Sequence, residues 1–137
     1  MSDNARRSRA DLIPNLRYRD APAAIDWLER AFGFERKLVV PGPDGTIVHA
    51  QLTFGNGMVM LGSDRGDDLR PPEKAGDPVT QAICVVVKDA DVQYARAKEG
   101  GAMILQEIED QDFGGRLFTC RDPEGHVWSF GSYDPWA

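Results

Sequence analysis

The chain has 137 residues, of which 42 % are hydrophobic and 28 % are charged, and this composition predicts one compact domain and excludes wholesale disorder. The formal net charge of −6 disfavours nucleic acid as a partner, because phosphate binding depends on Lys and Arg that displace condensed counterions. No apolar run has the length needed to cross a bilayer, and residues 1–11 lack the apolar stretch of a signal peptide. A cytoplasmic protein with no membrane partner is therefore predicted.

Residues 1–11 form a basic segment without hydrophobic periodicity. Its arginines are Arg6, Arg7 and Arg9, and terminal segments of this kind rarely pack against a domain. We predict a disordered basic tail.

The first predicted elements are a strand over residues 12–18 and an amphipathic helix over residues 21–32. Asp20 is expected to cap the helix, because an Asp side chain accepts a hydrogen bond from an unpaired backbone N–H of the first turn. Gly33 is expected to end it, because glycine readily adopts the left-handed conformation that closes many helices. Apolar residues recur at helical spacing, namely Ile25, Leu28, Ala31 and Phe32.

Three strands are predicted after this helix. They cover residues 34–40, 46–54 and 58–61, and the turns between them are rich in glycine, proline or asparagine. One helix and four strands in the order βαβββ thus make up a first module over residues 12–62.

Residues 63–78 are rich in proline, glycine and charge and are predicted to be a linker. Beyond them Asp89 is expected to cap a second helix, and Gly100 with Gly101 is expected to end it. Strands are predicted on both sides of this helix, over residues 79–87, 102–108, 116–121 and 127–133. Residues 79–134 therefore form a second βαβββ module of the same domain.

The two halves also match at the level of residues. Arg-Asp-Ala at residues 19–21 matches Lys-Asp-Ala at residues 88–90, and residues 54–59 match residues 122–127. An internal repeat is strong evidence for architecture, because both copies would have to mislead together.

The run from Asp122 to Phe130 reads Asp-Pro-Glu-Gly-His-Val-Trp-Ser-Phe, and together with the two modules it resembles the vicinal oxygen chelate superfamily. That group includes glyoxalase I, extradiol dioxygenases, fosfomycin-resistance enzymes and bleomycin-resistance proteins. The resemblance covers residues 12–133 and implies an α+β fold, in which the two tandem βαβββ modules form a cup-shaped mixed sheet with the helices on its outer face. It also implies a small-molecule pocket in the cup and a homodimer.

The same resemblance locates a metal site in the metal-dependent members, which carry His, Gln or Glu on the first and last strands of each module. The matching positions here fall near Ile13, near Met60 or Leu61, near Gln81 or Ala82, and at Ser129. A catalytic divalent ion usually needs about three firm protein ligands. Gln81 and Ser129 are the most that this set offers, so we expect no metal and no other cofactor.

The strand over residues 46–54 carries polar side chains at alternate positions, His49, Gln51 and Thr53. Alternate residues share one face of a strand, so these three are predicted to hydrogen-bond an oxygen-rich ligand, and His49 is also a candidate general base. The other interpretation is an antiparallel strand with one wet face. Catalytic residues stay unassigned, and the predicted ligand-binding set is His49, Gln51, Thr53, Phe113, Phe118 and Ser129.

An acidic run precedes Phe113 and consists of Glu107, Glu109, Asp110 and Asp112. Such a run is typical of a solvated loop. The sharper hypothesis is an anionic rim over the pocket, with residues 114–115 as a hinge and Phe113 as a lid, which would favour a cationic ligand.

The remaining histidine and the tryptophans have structural interpretations. His126 is predicted to be a solvated turn residue and Trp128 a core residue. Trp27 is expected to pack under the sheet or to mark a subunit contact, and Trp136 to be exposed or swapped onto a neighbour.

The two cysteines, Cys84 and Cys120, lie in separate strand-like runs. Their spacing excludes a CxxC pair or a zinc knuckle, and buried free thiols are predicted.

Three functions stay open on these grounds. The first is a metal-free binding or resistance-type protein that takes up a small organic molecule. The second is a metal-dependent lyase, isomerase or dioxygenase of the same superfamily, with a divalent metal and with His49 and Gln51 among its ligands. The third is a structural protein whose pocket is vestigial.

Overall fold

The computed structural model describes residues 9–137, so Arg6 and Arg7 of the predicted tail lie outside the described residues. The chain divides into two units with the boundary between Pro71 and Pro72, and each unit contains one βαβββ module. Among the described residues, no helix is both long and apolar enough to cross a membrane.

The first module contains one helical segment and four strands in the predicted order. Its elements are β1 (Asn15–Tyr18), α1 (Ala21–Trp27), a π-helical turn (Leu28–Phe32), β2 (Glu35–Pro41), β3 (Ile47–Phe54) and β4 (Gly57–Ser63). The strands form one sheet in the order β1-β4-β3-β2. β1 runs parallel to β4, and the other neighbours are antiparallel.

The ends of α1 and its π turn follow the sequence signals. Asp20 caps the helix as predicted, and its carboxylate accepts a hydrogen bond from the backbone N–H of Ala23 at 3.2 Å. The helical segment closes at Gly33, whose φ of 92° is left-handed. The N–H of Gly33 donates to the carbonyl of Leu28 at 3.1 Å, a spacing of five residues that widens the last turn.

One face of the first sheet packs against α1. Arg36 marks this face, because it pairs in register with Leu52 and donates a hydrogen bond to Glu29 of the π turn at 2.8 Å. Leu52 is in turn in register with Val59. The buried side chains of this core include Tyr18, Ile25, Leu28, Phe32, Ala50, Leu52, Val59 and Leu61.

The second module repeats the same order of elements. They are β5 (Ala82–Val86), α2 (Ala90–Glu99), β6 (Met103–Asp110), β7 (Arg116–Arg121) and β8 (Val127–Gly131). The strand order is β5-β8-β7-β6, with β5 parallel to β8. The α+β fold with two tandem βαβββ modules is therefore confirmed.

The second core is aromatic. Asp89 caps α2 as predicted, accepting from the N–H of Val92 at 3.1 Å. Tyr94 of α2 meets Phe118 edge to face at 5.1 Å, and Phe118 stacks on Phe130 at 5.3 Å. Phe118, Phe130 and the neighbouring Trp128 are all fully buried.

The Asp-Pro-Glu-Gly turn is a closed cluster of hydrogen bonds around Asp122, whose residue is 3 % exposed. One carboxylate oxygen accepts from the backbone N–H groups of Glu124, Gly125 and His126 at 3.0–3.1 Å. The other accepts from Nε1 of Trp128 at 3.1 Å. The motif therefore fixes the β7–β8 connection to the core.

The two hairpins that were matched residue by residue differ in length. In the first module the core pair across the hairpin is Leu52 with Val59, and in the second it is Cys120 with Trp128. The second connection thus has one more residue. Trp128 is the equivalent of Val59, and the ungapped match of residues 54–59 to 122–127 is off by one after the turn.

Two further predictions need correction. The strand predicted over residues 79–87 extends only from Ala82 to Val86, where β8 provides partners. Cys84 is exposed, whereas Cys120 is buried as predicted. Cys84 is exposed because it alternates with Ile83 and Val85, which are in register with the buried residues of β8, and so points away from α2.

Candidate functional site

The side of the first sheet opposite α1, here called the first open face, carries the polar side chains of β3. Gln51 is in register with Met60, and Thr53 with Met58. Because paired residues project to the same side, the first open face consists of Asn15, Arg17, Glu35, Leu38, Val40, His49, Gln51, Thr53, Met58 and Met60. The prediction that His49, Gln51 and Thr53 share a face is confirmed.

His49 and Gln51 form the polar centre of the first open face. Their side-chain nitrogens Nε2 lie 3.2 Å apart, and both residues are partly buried. Beside them on β2 are Leu38, opposite Gln51, and Val40, opposite His49, which are 44 % and 38 % exposed. An imidazole and an amide thus lie next to aliphatic surface that the module's own helix does not cover.

Arg17 is the charged residue at the β1 side of this face. It is in register with Gly62 of β4, and its side chain is 9 % exposed. The guanidinium forms an ion pair with Asp67 at 3.4 Å, and the Asp67 side chain is 50 % exposed. Sequence analysis did not select Arg17. The signal was its alternation with Asn15 on a strand next to the candidate site.

The corresponding face of the second sheet, the second open face, also carries polar side chains, among them Thr119, which is in register with Gln106 of β6, and Arg121, which is in register with Met103. Ser129, a predicted ligand-binding residue, lies there in register with Cys84 and Thr119. The hydroxyl groups of Ser129 and Thr119 are hydrogen-bonded at 2.8 Å. Val86, 48 % exposed, continues the face along β5.

The two predicted phenylalanines lie elsewhere. Phe118 faces α2 in the core of the second module, and its complete burial contradicts its prediction as a ligand contact. Phe113 is 58 % exposed and meets Tyr133 edge to face at 5.0 Å. Gly115 makes this arrangement possible, since a Cβ there would lie 2.6 Å from the backbone nitrogen of Tyr133.

The acidic run is largely engaged with residues of its own module. Glu107 accepts a hydrogen bond from Tyr94 of α2. Asp110 pairs with Arg116 at 2.9 Å, and Glu109 accepts from Gln106 at 3.1 Å. Glu107, Glu109 and Asp110 lie in β6 and only Asp112 lies in the connection to β7, so the prediction of a solvated loop is wrong for most of the run. A cationic ligand stays a prediction.

The tryptophans and His126 have the following positions. Trp128 is a core residue as predicted, and Trp27 is 7 % exposed with its ring edge to face with Phe32 at 4.7 Å. Trp136 is 93 % exposed. His126 is partly buried in the turn, where its backbone N–H donates to Asp122.

At the last-strand positions where the family resemblance places metal ligands, the donors do not fit a divalent metal. Met60 and Ser129 occupy equivalent positions in the two modules, and they offer a thioether and a hydroxyl that is already shared with Thr119. Hard divalent ions prefer carboxylates, and the transition metals prefer imidazole or thiolate. Across residues 9–137, no group of three or more His, Cys, Asp or Glu side chains is placed to hold a metal ion.

Comparison with known proteins agrees with the fold. A family model described as Glyoxalase/Bleomycin resistance protein/Dioxygenase superfamily matches residues 12–130. A protein of Mycobacterium bovis with no assigned function is 39 % identical over 125 residues, which cover 88 % of this chain and 81 % of that protein.

Solved structures show the same similarity. The crystal structure of TioX from Micromonospora sp. ML1 is 36 % identical, with a TM-score of 0.73 over 89 % of this chain and 97 % of TioX. A bleomycin resistance determinant encoded on transposon Tn5 is 22 % identical, with a TM-score of 0.65 over 91 % of this chain and 98 % of that one, and it supports the fold alone. The chain therefore belongs to the glyoxalase/bleomycin resistance protein/dioxygenase superfamily.

Proposed function

We propose that the chain is a cytoplasmic, homodimeric protein that binds a small organic molecule on its first open face and needs no resident metal to do so. The observation that carries this proposal is the pairing of His49 and Gln51 with the exposed aliphatic side chains of β2 on one uncovered sheet face.

The composition of this face suits binding of a small molecule. Ligand sites combine a mostly apolar surface with a few polar groups that fix orientation. Here Leu38, Val40 and the thioethers of β4 supply the apolar surface, and thioethers adapt to irregular shapes. His49, Gln51 and Thr53 supply both donors and acceptors.

Binding rather than turnover is favoured by the donor set. The resemblance implies a divalent metal for enzymes of this kind, and neither Met60 nor Ser129 is a suitable ligand for one. The description of the family model that matches residues 12–130 includes bleomycin resistance proteins, and taking up a drug without changing it requires only binding. Bleomycin is therefore the first ligand to test.

The experiment is a thermal-shift and calorimetric titration of the purified protein with bleomycin and a panel of aromatic small molecules. A ligand that binds only the folded state raises the melting temperature by mass action. His49→Ala is expected to weaken any such ligand by about tenfold, given about 1–2 kcal/mol for one lost hydrogen bond in a partly buried site. His126→Ala removes the other histidine, outside the open face, and is expected to leave the affinity unchanged.

Two other outcomes would replace the proposal. Stoichiometric divalent metal after dialysis, lost in His49→Ala but retained in His126→Ala, would indicate the metal-dependent lyase, isomerase or dioxygenase. Absence of any His49-dependent ligand across the panel would leave the structural role. Light scattering of the same samples tests the homodimer.

A further inference from the structure

The second open face contains a guanidinium that is held in place by neutral groups. Arg121 lies on this face two residues after Thr119, and it is in register with Val127 of β8. Its Nη1 donates to two backbone carbonyl oxygens, that of Asp77 in the linker at 2.9 Å and that of Gly125 in the β7–β8 turn at 3.0 Å. These contacts orient the guanidinium, but carbonyl groups do not neutralise its charge.

One edge of the Arg121 guanidinium has donors that these carbonyls do not use. Nη1 spends its hydrogens on Asp77 and Gly125, so the hydrogens of Nε and Nη2 are left. Nε and Nη2 form a planar pair of donors, here called the Arg121 fork, of the kind that binds a carboxylate or a phosphate through two hydrogen bonds. Over residues 9–137, Arg121 forms no ion pair, and it is partly buried. A partly buried charge of this kind favours an anion as its partner.

Arg116 of the same strand is neutralised in the usual way. Its side chain projects to the α2 side of the sheet, where it forms ion pairs with Asp91 at 3.0 Å and with Asp110 at 2.9 Å. Both carboxylates belong to the same module as Arg116. Two arginines five positions apart on β7 therefore differ in that Arg121 has only carbonyl partners.

The two acidic residues that adjoin Arg121 are directed to other partners. Asp122 projects to the opposite side of the strand, and its carboxylate accepts from its own turn and from Trp128. Oδ2 of Asp77 accepts from the backbone N–H of Lys74 at 3.2 Å, so Asp77 presents its carbonyl to Arg121. An anion at the Arg121 fork would therefore displace neither of these carboxylates.

The surface beside Arg121 suits the remainder of a small organic molecule. The hydroxyl groups of Thr119 and Ser129 are hydrogen-bonded to each other at 2.8 Å, so one of them donates and the other keeps its hydrogen for a further acceptor. Cys84, in register with Ser129, and Val86, 48 % exposed, continue the face along β5. Apolar surface with a few polar groups is the usual composition of a ligand site.

We infer that the second open face is a second binding site, and that its Arg121 fork binds the oxyanion of a small organic acid, either a carboxylate or a phosphate ester. This site goes beyond the proposed function, because it lies in the other module and does not use His49. The formal net charge of −6 opposes unspecific binding of anions, so anion binding should depend on this one local positive group.

The first test is an NMR titration of the native protein with benzoate, phenyl phosphate, benzyl alcohol and benzylammonium at fixed ionic strength. The Nε–Hε resonance of Arg121 is the local readout, and that of Arg116 is the internal control. Both anions are expected to shift the Arg121 resonance and to leave the Arg116 resonance unchanged, and benzyl alcohol should shift neither. The anion that binds more tightly identifies the acidic group of the ligand.

The second test uses a matched pair of variants on β7. Arg121→Met is expected to weaken binding of the anions about tenfold or more, as loss of a charged hydrogen bond does. Arg121→Lys keeps the charge but not the fork and should weaken them about threefold. Arg116→Met makes the same charge change on the other side of the strand and should leave the affinity unchanged.

The outcomes separate this site from the first open face. Equal weakening by Arg121→Met and Arg116→Met, or a preference for benzylammonium, would overturn the inference. An unshifted Arg121 resonance at saturating anion would do the same, and this result needs no variant, so it decides the matter even if Arg121→Met does not fold. His49→Ala should leave anion binding intact. Loss of anion binding in His49→Ala would assign the anion to the first open face and refute the second site, whereas failure of the proposed function would leave the Arg121 result unaffected.

Discussion

Replacing Asp122 by alanine should destabilise the protein strongly, although the residue belongs to the motif by which the family is recognised. Its carboxylate accepts three backbone N–H groups and the indole N–H of Trp128, and the residue is 3 % exposed. Asp122→Ala removes all four acceptor contacts at once. The indole lies in the core with no route to water, whereas the turn amides of Glu124 and His126 belong to partly exposed residues.

The magnitude follows from these differences in exposure. A buried donor left without a partner costs about 1–3 kcal/mol. The cost of leaving the indole N–H without an acceptor should be near the top of that range. The cost for each of the three amides should be smaller, because water reaches part of the turn. We expect a total of about 3–5 kcal/mol, against a free energy of unfolding of about 5–15 kcal/mol for a typical domain. Asp122→Asn keeps one acceptor oxygen and should cost about 1–3 kcal/mol, since its amide group cannot accept from both sides.

Urea unfolding monitored by tryptophan fluorescence measures both variants. Asp112→Ala, which removes an exposed carboxylate from the β6–β7 connection, is the matched control and should change the free energy of unfolding by less than about 0.5 kcal/mol. A change in Asp122→Ala no larger than in this control would refute the structural interpretation of the motif. Asp122 would then have to be reconsidered as a functional group.

Three other predictions concern the thiols and one glycine. Cys84 should react with a thiol reagent in the native protein, and Cys120 only after unfolding; rapid modification of both in native buffer would contradict the packing of β7. Burial, together with the nearby charge of Asp122, raises the pKa of Cys120 from 9.0 to about 12. Between about pH 9 and 12 the unfolded chain therefore loses a proton that the folded chain keeps, so the free energy of unfolding should fall by up to about 1.4 kcal/mol per pH unit. Cys120→Ala should remove this contribution to the pH dependence of the free energy of unfolding, as measured in alkaline unfolding titrations. Gly125→Ala should lower the free energy of unfolding by about 2–3 kcal/mol in urea unfolding, because φ is +102° and a Cβ would lie 2.5 Å from the carbonyl oxygen of Ala75. Gly76→Ala is the control and should be tolerated, because a Cβ at Gly76 would meet nothing within 4 Å.

Elements with local signals could be predicted from the sequence. Asp20 and Asp89 cap their helices and Gly33 closes the first helical segment, because each of these roles depends on one side chain and the adjacent backbone. The π turn could not be foreseen, since its wider hydrogen bonding depends on how the last turn packs. Strand ends were less accurate, because a strand ends where its neighbour ends.

The candidate site divides in the same way. The alternation of His49, Gln51 and Thr53 is a property of one strand and was visible in the sequence. The face of Phe118 was not, because the adjacent Leu117 and Phe118 are both apolar and project to opposite sides of β7, so the strand alone does not indicate which side meets a helix. Arg17 escaped selection because its partner Asp67 is 50 residues away in the chain. Pairing across such a distance is decided by the fold.

The hairpins of the two modules have diverged in what holds them together. Phe54 closes the first hairpin and packs against Phe34 at 5.3 Å, while Asp122 closes the second through hydrogen bonds to its own turn and to Trp128. Recombination between the repeats would therefore be costly. A first module that received the Asp122 turn would place a carboxylate against Phe34 with no indole to bind it, and a second module that received Phe54 would leave that indole without an acceptor. Segments of the two modules therefore can no longer be exchanged one by one. A chimaera of this protein should have its junction between the modules and not within them.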